Sequence, residues 1–221
     1  MPVNTDTLLW TQAREPVATL LLAHGAGVGM TSPFMDQIAE RVAALGITVA
    51  RFEFAYMAQR RTGGAKRPPP RADKLIGEYL AAIGAARAGA PDGPLLIGGK
   101  SMGGRVAAML AGERETCDEA SGVVCLGYPF HAPGKTEQVR LAPLQDAGLP
   151  VLVCQGDRDP FGNAAEIATY DLPETVSFTW LEDGDHDFKP RGRSPATWKG
   201  NLEAAAQAVR SFALRSGSGK D

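Results

Sequence analysis

The sequence predicts a doubly wound α/β protein with a mostly parallel sheet. Three observations carry that expectation. Short runs rich in Val, Leu and Ile recur along the 221 residues, and longer Ala-rich amphipathic stretches separate them. The short runs are apolar almost throughout rather than alternating, as strands covered on both faces are. Strands and helices of these lengths in alternation form parallel sheets wound on both sides. One domain over 1–215 is expected, with a flexible tail, SGSGKD, at 216–221.

The elements follow in order. An edge strand over 7–10 opens the chain. The first core strand is 17–23, VATLLLA, and it ends in His24-Gly25. Ser32 precedes Pro33, an N-cap before a proline at the first helical position, so a helix is expected over 33–45. Gly46 closes that helix ahead of a strand over 47–54. The stretch 57–71 reads MAQRRTGGAKRPPPR, with five basic residues (Arg60, Arg61, Lys66, Arg67, Arg71), no acid and three consecutive prolines. It is expected to be a long loop. The order then runs helix 72–88, strand 95–98, helix 102–113, strand 122–126, a short helix around 137–147 and strand 151–154. Helix 164–170, strand 176–181 and helix 195–214 complete it.

Composition narrows the function. Hydrophobic residues make up 44% and charged residues 22%, which excludes disorder as the main state. Lys and Arg number 23 against 25 Asp and Glu, a net charge of −2, so neither nucleic acid nor a membrane is expected as a partner. No run approaches the roughly 18 apolar residues of a membrane span. The start, MPVNTDTLLWTQAREP, lacks a basic opening followed by an apolar stretch, so no secretion signal is expected. Cys117, Cys125 and Cys154 are an odd number, and two lie inside apolar runs, so they read as small buried hydrophobes in a reducing cytoplasm.

The chemistry centres on Gly99-Lys100-Ser101-Met102-Gly103, a G-x-S-x-G turn that follows a strand and opens a helix. In that context the turn is a nucleophile elbow, which lifts the serine hydroxyl above the sheet. A serine needs a base, and the base needs an orienting group. The histidines number three: His24, His131 and His186, all where strands leave the sheet. His186, after the last strand, is the expected base. The loop Gln155-Gly156-Asp157-Arg158-Asp159-Pro160 offers two acids, Asp157 and Asp159. Position and side-chain direction do not separate them, but reach favours Asp159, since Gly156 permits a turn toward the base and Pro160 fixes the backbone beyond it. The backbone N–H groups of Ala26 and Met102 are the expected oxyanion donors. Gly25-Ala26-Gly27-Val28-Gly29 lacks dinucleotide-binding spacing, and no P-loop, H-E-x-x-H or CxxC pair occurs, so no cofactor and no metal is expected.

Together the motifs H-G-x-G, G-K-S-M-G-G, G-x-x-D-P-F-G and G-D-H-x-F-K-P make the chain resemble the α/β-hydrolase superfamily over essentially its whole length. They are most similar to a small group of hydrolases related to the dienelactone hydrolases, which includes human testis-expressed protein 30 and a subunit of the NSL acetyltransferase complex. YMAQRRTGG, RPPPRA and YPFHAPGK also resemble that group. The resemblance implies the α/β-hydrolase fold, a catalytic triad of Ser101, Asp159 and His186, and carboxylic-ester hydrolysis. It adds weight to Asp159, because relatives place the acid three residues after the glycine at 156. The resemblance names no substrate, and dienelactone itself is not expected, because dienelactone hydrolases carry a cysteine where this chain has Ser101.

No insertion of helical-hairpin length lies between 123 and 151, where many relatives carry a lid domain, so an open site is expected. Its rim would be the loops 57–71, 130–135 and 189–193, with Asp183, Asp185 and Asp187 partly offsetting their positive charge. Residues expected to touch substrate are His24, Arg60, Arg61, His131, Lys135 and Lys189. The expected partner is a small ester or thioester bearing an anionic group. An acyltransferase or peptidase on the same triad, a non-catalytic interaction module of this fold and a different doubly wound enzyme are the alternatives.

Overall fold

A computed structural model describes residues 8–65 and 68–217, without the side chains at 114, 115 and 117. Among the described residues a seven-stranded sheet runs in the order β1-β3-β2-β4-β5-β6-β7. The strands are β1 (Leu9–Thr11), β2 (Ala18–Ala23), β3 (Ile47–Phe52), β4 (Leu95–Lys100), β5 (Gly122–Leu126), β6 (Val151–Gly156) and β7 (Val176–Leu181). β1 pairs antiparallel with β3, and every other pairing is parallel. From β2 the chain crosses first to β3 on one side and later to β4 on the other. The carboxyl ends of β2 and β4 therefore form the switch point where open α/β sheets place their ligands.

The helices are α1 (Pro33–Ala44), α2 (Ala55–Arg61), α3 (Ile76–Gly89), α4 (Met102–Leu110), α5 (Arg114–Glu119), α6 (Ala142–Gln145), α7 (Ala164–Ile167) and α8 (Trp198–Gly217). Adjacent residues of one strand point to opposite faces. Leu20 and Leu22 of β2 therefore enter the layer holding Phe34, Ile38, Val209 and Phe212 of α1 and α8. Leu21 and Ala23 enter the layer holding Tyr79, Ile83, Val106 and Leu110 of α3 and α4. Both faces are dry, which is why the strand reads as a continuous apolar run. Shortening one of these leucines to Ala would cost about 2–5 kcal/mol. β7 is an edge strand, and Trp180 on it is 40% exposed. Among the described residues no helix is long and apolar enough to cross a membrane.

The structure corrects several boundaries. The segment 57–71 is not a loop throughout, because α2 carries Arg60 and Arg61 in its last turn. Residues 55–61 contain no Gly or Pro, Tyr56 and Met57 are buried, and cations suit a helix C-terminus. The breakers begin only at Gly63. Lys66 and Arg67 lie outside the described residues, as do Thr7 and residues 218–221. Ala72–Leu75 is a 3₁₀ turn leading into α3. The helix expected over 102–113 ends at Leu110, a separate helix α5 follows over Arg114–Glu119, and α8 starts at Trp198 and continues to Gly217. Ser32 has the extended backbone of an N-cap, but its hydroxyl makes no cap bond, so the preset φ of Pro33 opens α1.

Candidate active site

Ser101 sits between β4 and α4 with φ 51 and ψ −112, a left-handed conformation that a serine adopts only under constraint. Its N–H donates to the carbonyl of Leu126 at the end of β5, 3.0 Å away. The turn is tight enough that a Cβ at Gly103 would fall 2.7 Å from the carbonyl oxygens of both Ala23 and His24. The sharp turn therefore needs glycine there, because Gly103 lies against the end of β2.

His186 leaves the loop after β7 and meets both neighbours. Its Nδ1–H donates to Asp159 Oδ2 at 2.7 Å, which leaves Nε2 to accept the Ser101 O–H at 2.9 Å. Asp159 is fully buried, and its carboxylate also accepts Phe161 N–H at 2.8 Å and a Gln155 side-chain N–H at 3.0 Å. These donors hold the carboxylate still. The Asp159-Pro160-Phe161 turn also lays the Phe161 ring on the His186 ring, with centroids 4.1 Å apart and planes 27° apart.

The other acid is elsewhere. Asp157 Oδ2 accepts the N–H of Asp183 at 3.1 Å, so it braces the start of the histidine loop. Asp183 is itself buried and bonded to Arg158 and Arg191. The Arg191 guanidinium beside it holds its carboxyl down at about 2. Asp183 thus offsets rim charge as the sequence suggested, through a direct pair with the exposed Arg191 of the 189–193 loop. Asp185 accepts the backbone N–H groups of Asp187 and Lys189 and so ties its own loop.

Ala26 and Met102 flank the serine. A Cβ at Gly25 would stand 3.7 Å from Ser101 Cβ, so this turn lies against Ser101. The Gly25 carbonyl accepts His24 Nδ1–H at 2.6 Å. Across a trans peptide the Ala26 N–H must then point the opposite way. The Tyr56 hydroxyl donates to the Ala26 carbonyl at 3.1 Å and secures the next peptide. Met102 opens α4, and its N–H is among those a helix leaves without an internal partner. Glu53 accepts the Met30 N–H at 3.3 Å and Arg51 donates to the Met30 carbonyl at 2.8 Å, which clamps the far end of the same loop.

Two expected substrate contacts are corrected. His24 is 0% exposed, and its Nε2 accepts the Phe54 N–H at 3.1 Å. It joins the ends of β2 and β3, and burial holds its pKa below the ordinary value. His131 is 2% exposed, with ring nitrogens facing the Ala132 carbonyl at 3.0 Å and Glu166 at 3.1 Å. Glu166 belongs to a capping box with Asn163 at the start of α7, so His131 fastens its loop to that helix. Neither ring is open to a ligand.

The cationic candidates are at the surface. Lys189 lies over the Trp198 ring at 5.2 Å, Lys135 is exposed, and Arg61 pairs with Glu53 at 2.9 Å. Arg60 has no acidic partner among the described residues and lines a cleft of about 350 Å³ with Gly27, Val28, Glu53 and Met57. Sequence reasoning missed Phe161, Tyr56 and the burial of Lys100. The only signal for Phe161 was its place after Asp159-Pro160. Among the described residues no group of three or more His, Cys, Asp and Glu could hold a metal ion.

Comparison with known proteins gives the same architecture. An α/β-serine hydrolase without a lid from Xanthomonas campestris superposes with a TM-score of 0.70 at 20% identity, covering 93% of this chain and 88% of that one. A dienelactone hydrolase from Anabaena variabilis superposes with a TM-score of 0.71 at 20% identity, covering 94% and 90%. Est1E from Butyrivibrio proteoclasticus, solved with ferulic acid, gives 0.64 at 15% identity, covering 94% of each chain. These likenesses establish the fold. A family model described as an α/β-hydrolase domain matches residues 16–214, and the chain belongs to that family.

Proposed function

We propose that the protein is a serine hydrolase that cleaves a small carboxylic ester or thioester through an acyl-enzyme on Ser101. The observation that carries this reading is the line Ser101 Oγ–His186 Nε2–Asp159 Oδ2, with spacings of 2.9 and 2.7 Å. In the first half-reaction His186 Nε2 takes the hydroxyl proton as Ser101 Oγ bonds to the substrate carbonyl carbon. The carbonyl oxygen becomes an oxyanion facing the N–H groups of Ala26 and Met102. Collapse breaks the bond to the leaving oxygen or sulfur, which receives the proton from Nε2. Water then repeats the sequence and frees the acid. Asp159 keeps the imidazole in the tautomer and orientation this needs and stabilises the imidazolium. The neighbouring lidless serine hydrolase and Est1E support the reaction class.

The substrate carries an anionic group in this reading. Support comes from Arg60, which lacks an acidic partner among the described residues, beside a Glu53 whose two oxygens are occupied by Met30 N–H and Arg61. Cys125 and Cys154 are free thiols buried in the sheet, and a reducing cytoplasm suits them. The test is a panel of short aryl esters and acyl-CoA thioesters. Turnover of one class is expected, and Ser101→Ala should lower kcat by about 10⁴-fold or more. Unchanged turnover in that variant would remove the mechanism.

A further inference from the structure

Lys100 is the last residue of β4 and the covalent neighbour of Ser101. Lysines are almost never this enclosed, yet this one is 4% exposed. Its Nζ lies 2.8 Å from the carbonyl oxygen of His186 and 3.6 Å from Asp187 Oδ1. It also sits 5.3 Å from the centroid of the Phe34 ring, in the first turn of α1. An ammonium has three N–H donors. A carbonyl, a carboxylate and a π face are the three acceptors it meets here. Burial pushes the amine below its ordinary pKa, and Asp187, Asp159 and Asp185 oppose that shift. A Cβ at Gly127, where φ is +69, would come 3.1 Å from Nζ and 3.0 Å from the His186 carbonyl oxygen. The end of β5 thus leaves room for this contact. The proposed reaction uses the His186 ring and the Ser101 hydroxyl, and it leaves this buried charge without a chemical task.

The two reacting groups stand on separate supports. Ser101 follows β4 and His186 follows β7, with β5 and β6 between them in the sheet. Strands lie roughly 4.8 Å apart, so the supports are about 14 Å apart at sheet level. Proton transfer needs Oγ and Nε2 held together far more closely than two independent loops would hold them. A misplacement of about 1 Å can cost on the order of 10²-fold in rate.

We propose that Lys100 is a positioning residue that ties the His186 peptide to the nucleophile turn and so sets the Ser101–His186 distance. The proposal rests on the serine-hydrolase reading. Its test is kinetic. Lys100→Met keeps the length and removes the donors, and it should lower kcat about 10²-fold with KM changed less than threefold. Lys100→Arg keeps charge and donors and should recover turnover to within about tenfold of wild type. In a His186→Ala background, Lys100→Met should change the residual turnover less than twofold, because the residue it acts through is gone. A Lys100→Met enzyme within threefold of wild type would overturn the proposal. So would an undiminished loss in the His186→Ala background, which would show action elsewhere, or a loss carried in KM, which would make Lys100 a substrate contact. Circular dichroism checks folding. Should Lys100→Met not fold, the half-exposed Asp187 gives a second route: Asp187→Ala should lower kcat about fivefold at unchanged KM, and an unchanged kcat would overturn the proposal. If Ser101→Ala itself kept full turnover, the underlying reading would fail first. With Ser101→Ala inactive, these outcomes bear on Lys100 alone.

Discussion

The chain carries a histidine directly after β2 and another in the loop that follows β7, and the two rings have opposite surroundings. His24 is enclosed, with one ring nitrogen on the Gly25 carbonyl and the other on the Phe54 N–H. Both partners are backbone, so the ring serves as a brace between strands. His186 is only partly enclosed, and its partners are two side chains, a carboxylate and a hydroxyl. One of those partners can lose a proton to it. Under the proposed mechanism the same side chain, in loops beyond two strand ends, is thus structural or reactive according to what its two nitrogens face. His131, held by Ala132 and Glu166, falls on the structural side of this division.

The largest effect expected on this division is at His186. His186→Ala should lower kcat by about 10⁴-fold or more while leaving the melting temperature nearly unchanged. Steady-state kinetics with a thermal melt reads both quantities. A large stability loss with modest kinetic loss would move His186 into the class of His24.

Asp159 sharpens the comparison next. Asp159→Asn should cut kcat by roughly 10²–10⁴-fold, because the imidazole loses the partner that fixes its tautomer. Asp157→Asn should cost about tenfold or less, since Asp157 accepts the Asp183 N–H and does not reach the His186 ring. Both variants on one aryl ester decide the order, and a larger loss at Asp157 would reverse it.

His24 supplies the converse. His24→Ala strands the buried Phe54 N–H and leaves a cavity, together worth about 3 kcal/mol. For a domain of this size the melting temperature should fall by roughly 6–12 °C. The kinetic loss should stay near tenfold, transmitted through the Ala26 turn. A loss of 10³-fold or more in a folded His24→Ala protein would break the distinction.

The smallest effect concerns the rim. Arg60→Ala with Arg61→Ala should raise KM about three- to tenfold more for carboxylate-bearing esters than for neutral ones. Parallel KM measurements on a matched pair of esters check this, and equal changes would refute selective anion binding.

Much of this was readable in the residues. Apolar runs closed by Gly or Pro marked the parallel strands, because burial on both faces leaves no alternation to confuse them. Gly99 to Gly103 marked the elbow, because only small residues fit where β2 and α4 approach each other. Other features were hidden. The basic and proline-rich character of 57–71 masked α2, whose seven residues are individually compatible with a helix. A histidine at a strand end carries no mark of which way its ring turns, so His24 and His131 read as open when they are enclosed. Lys100 occupied the variable position of G-x-S-x-G, and nothing in the sequence assigned it a role of its own. Its burial depends on Asp187 and Phe34, which are distant in sequence and arrive only with the fold.

The central claim is that the Ser101 hydroxyl is activated by His186, and covalent labelling tests it most directly. The folded protein is treated with a fluorophosphonate probe and the modified peptide is located by mass spectrometry. The account predicts a single adduct on Ser101 that forms at least 10²-fold more slowly in His186→Ala. An unmodified Ser101 in active, folded protein, or equal labelling rates in the two proteins, would contradict it.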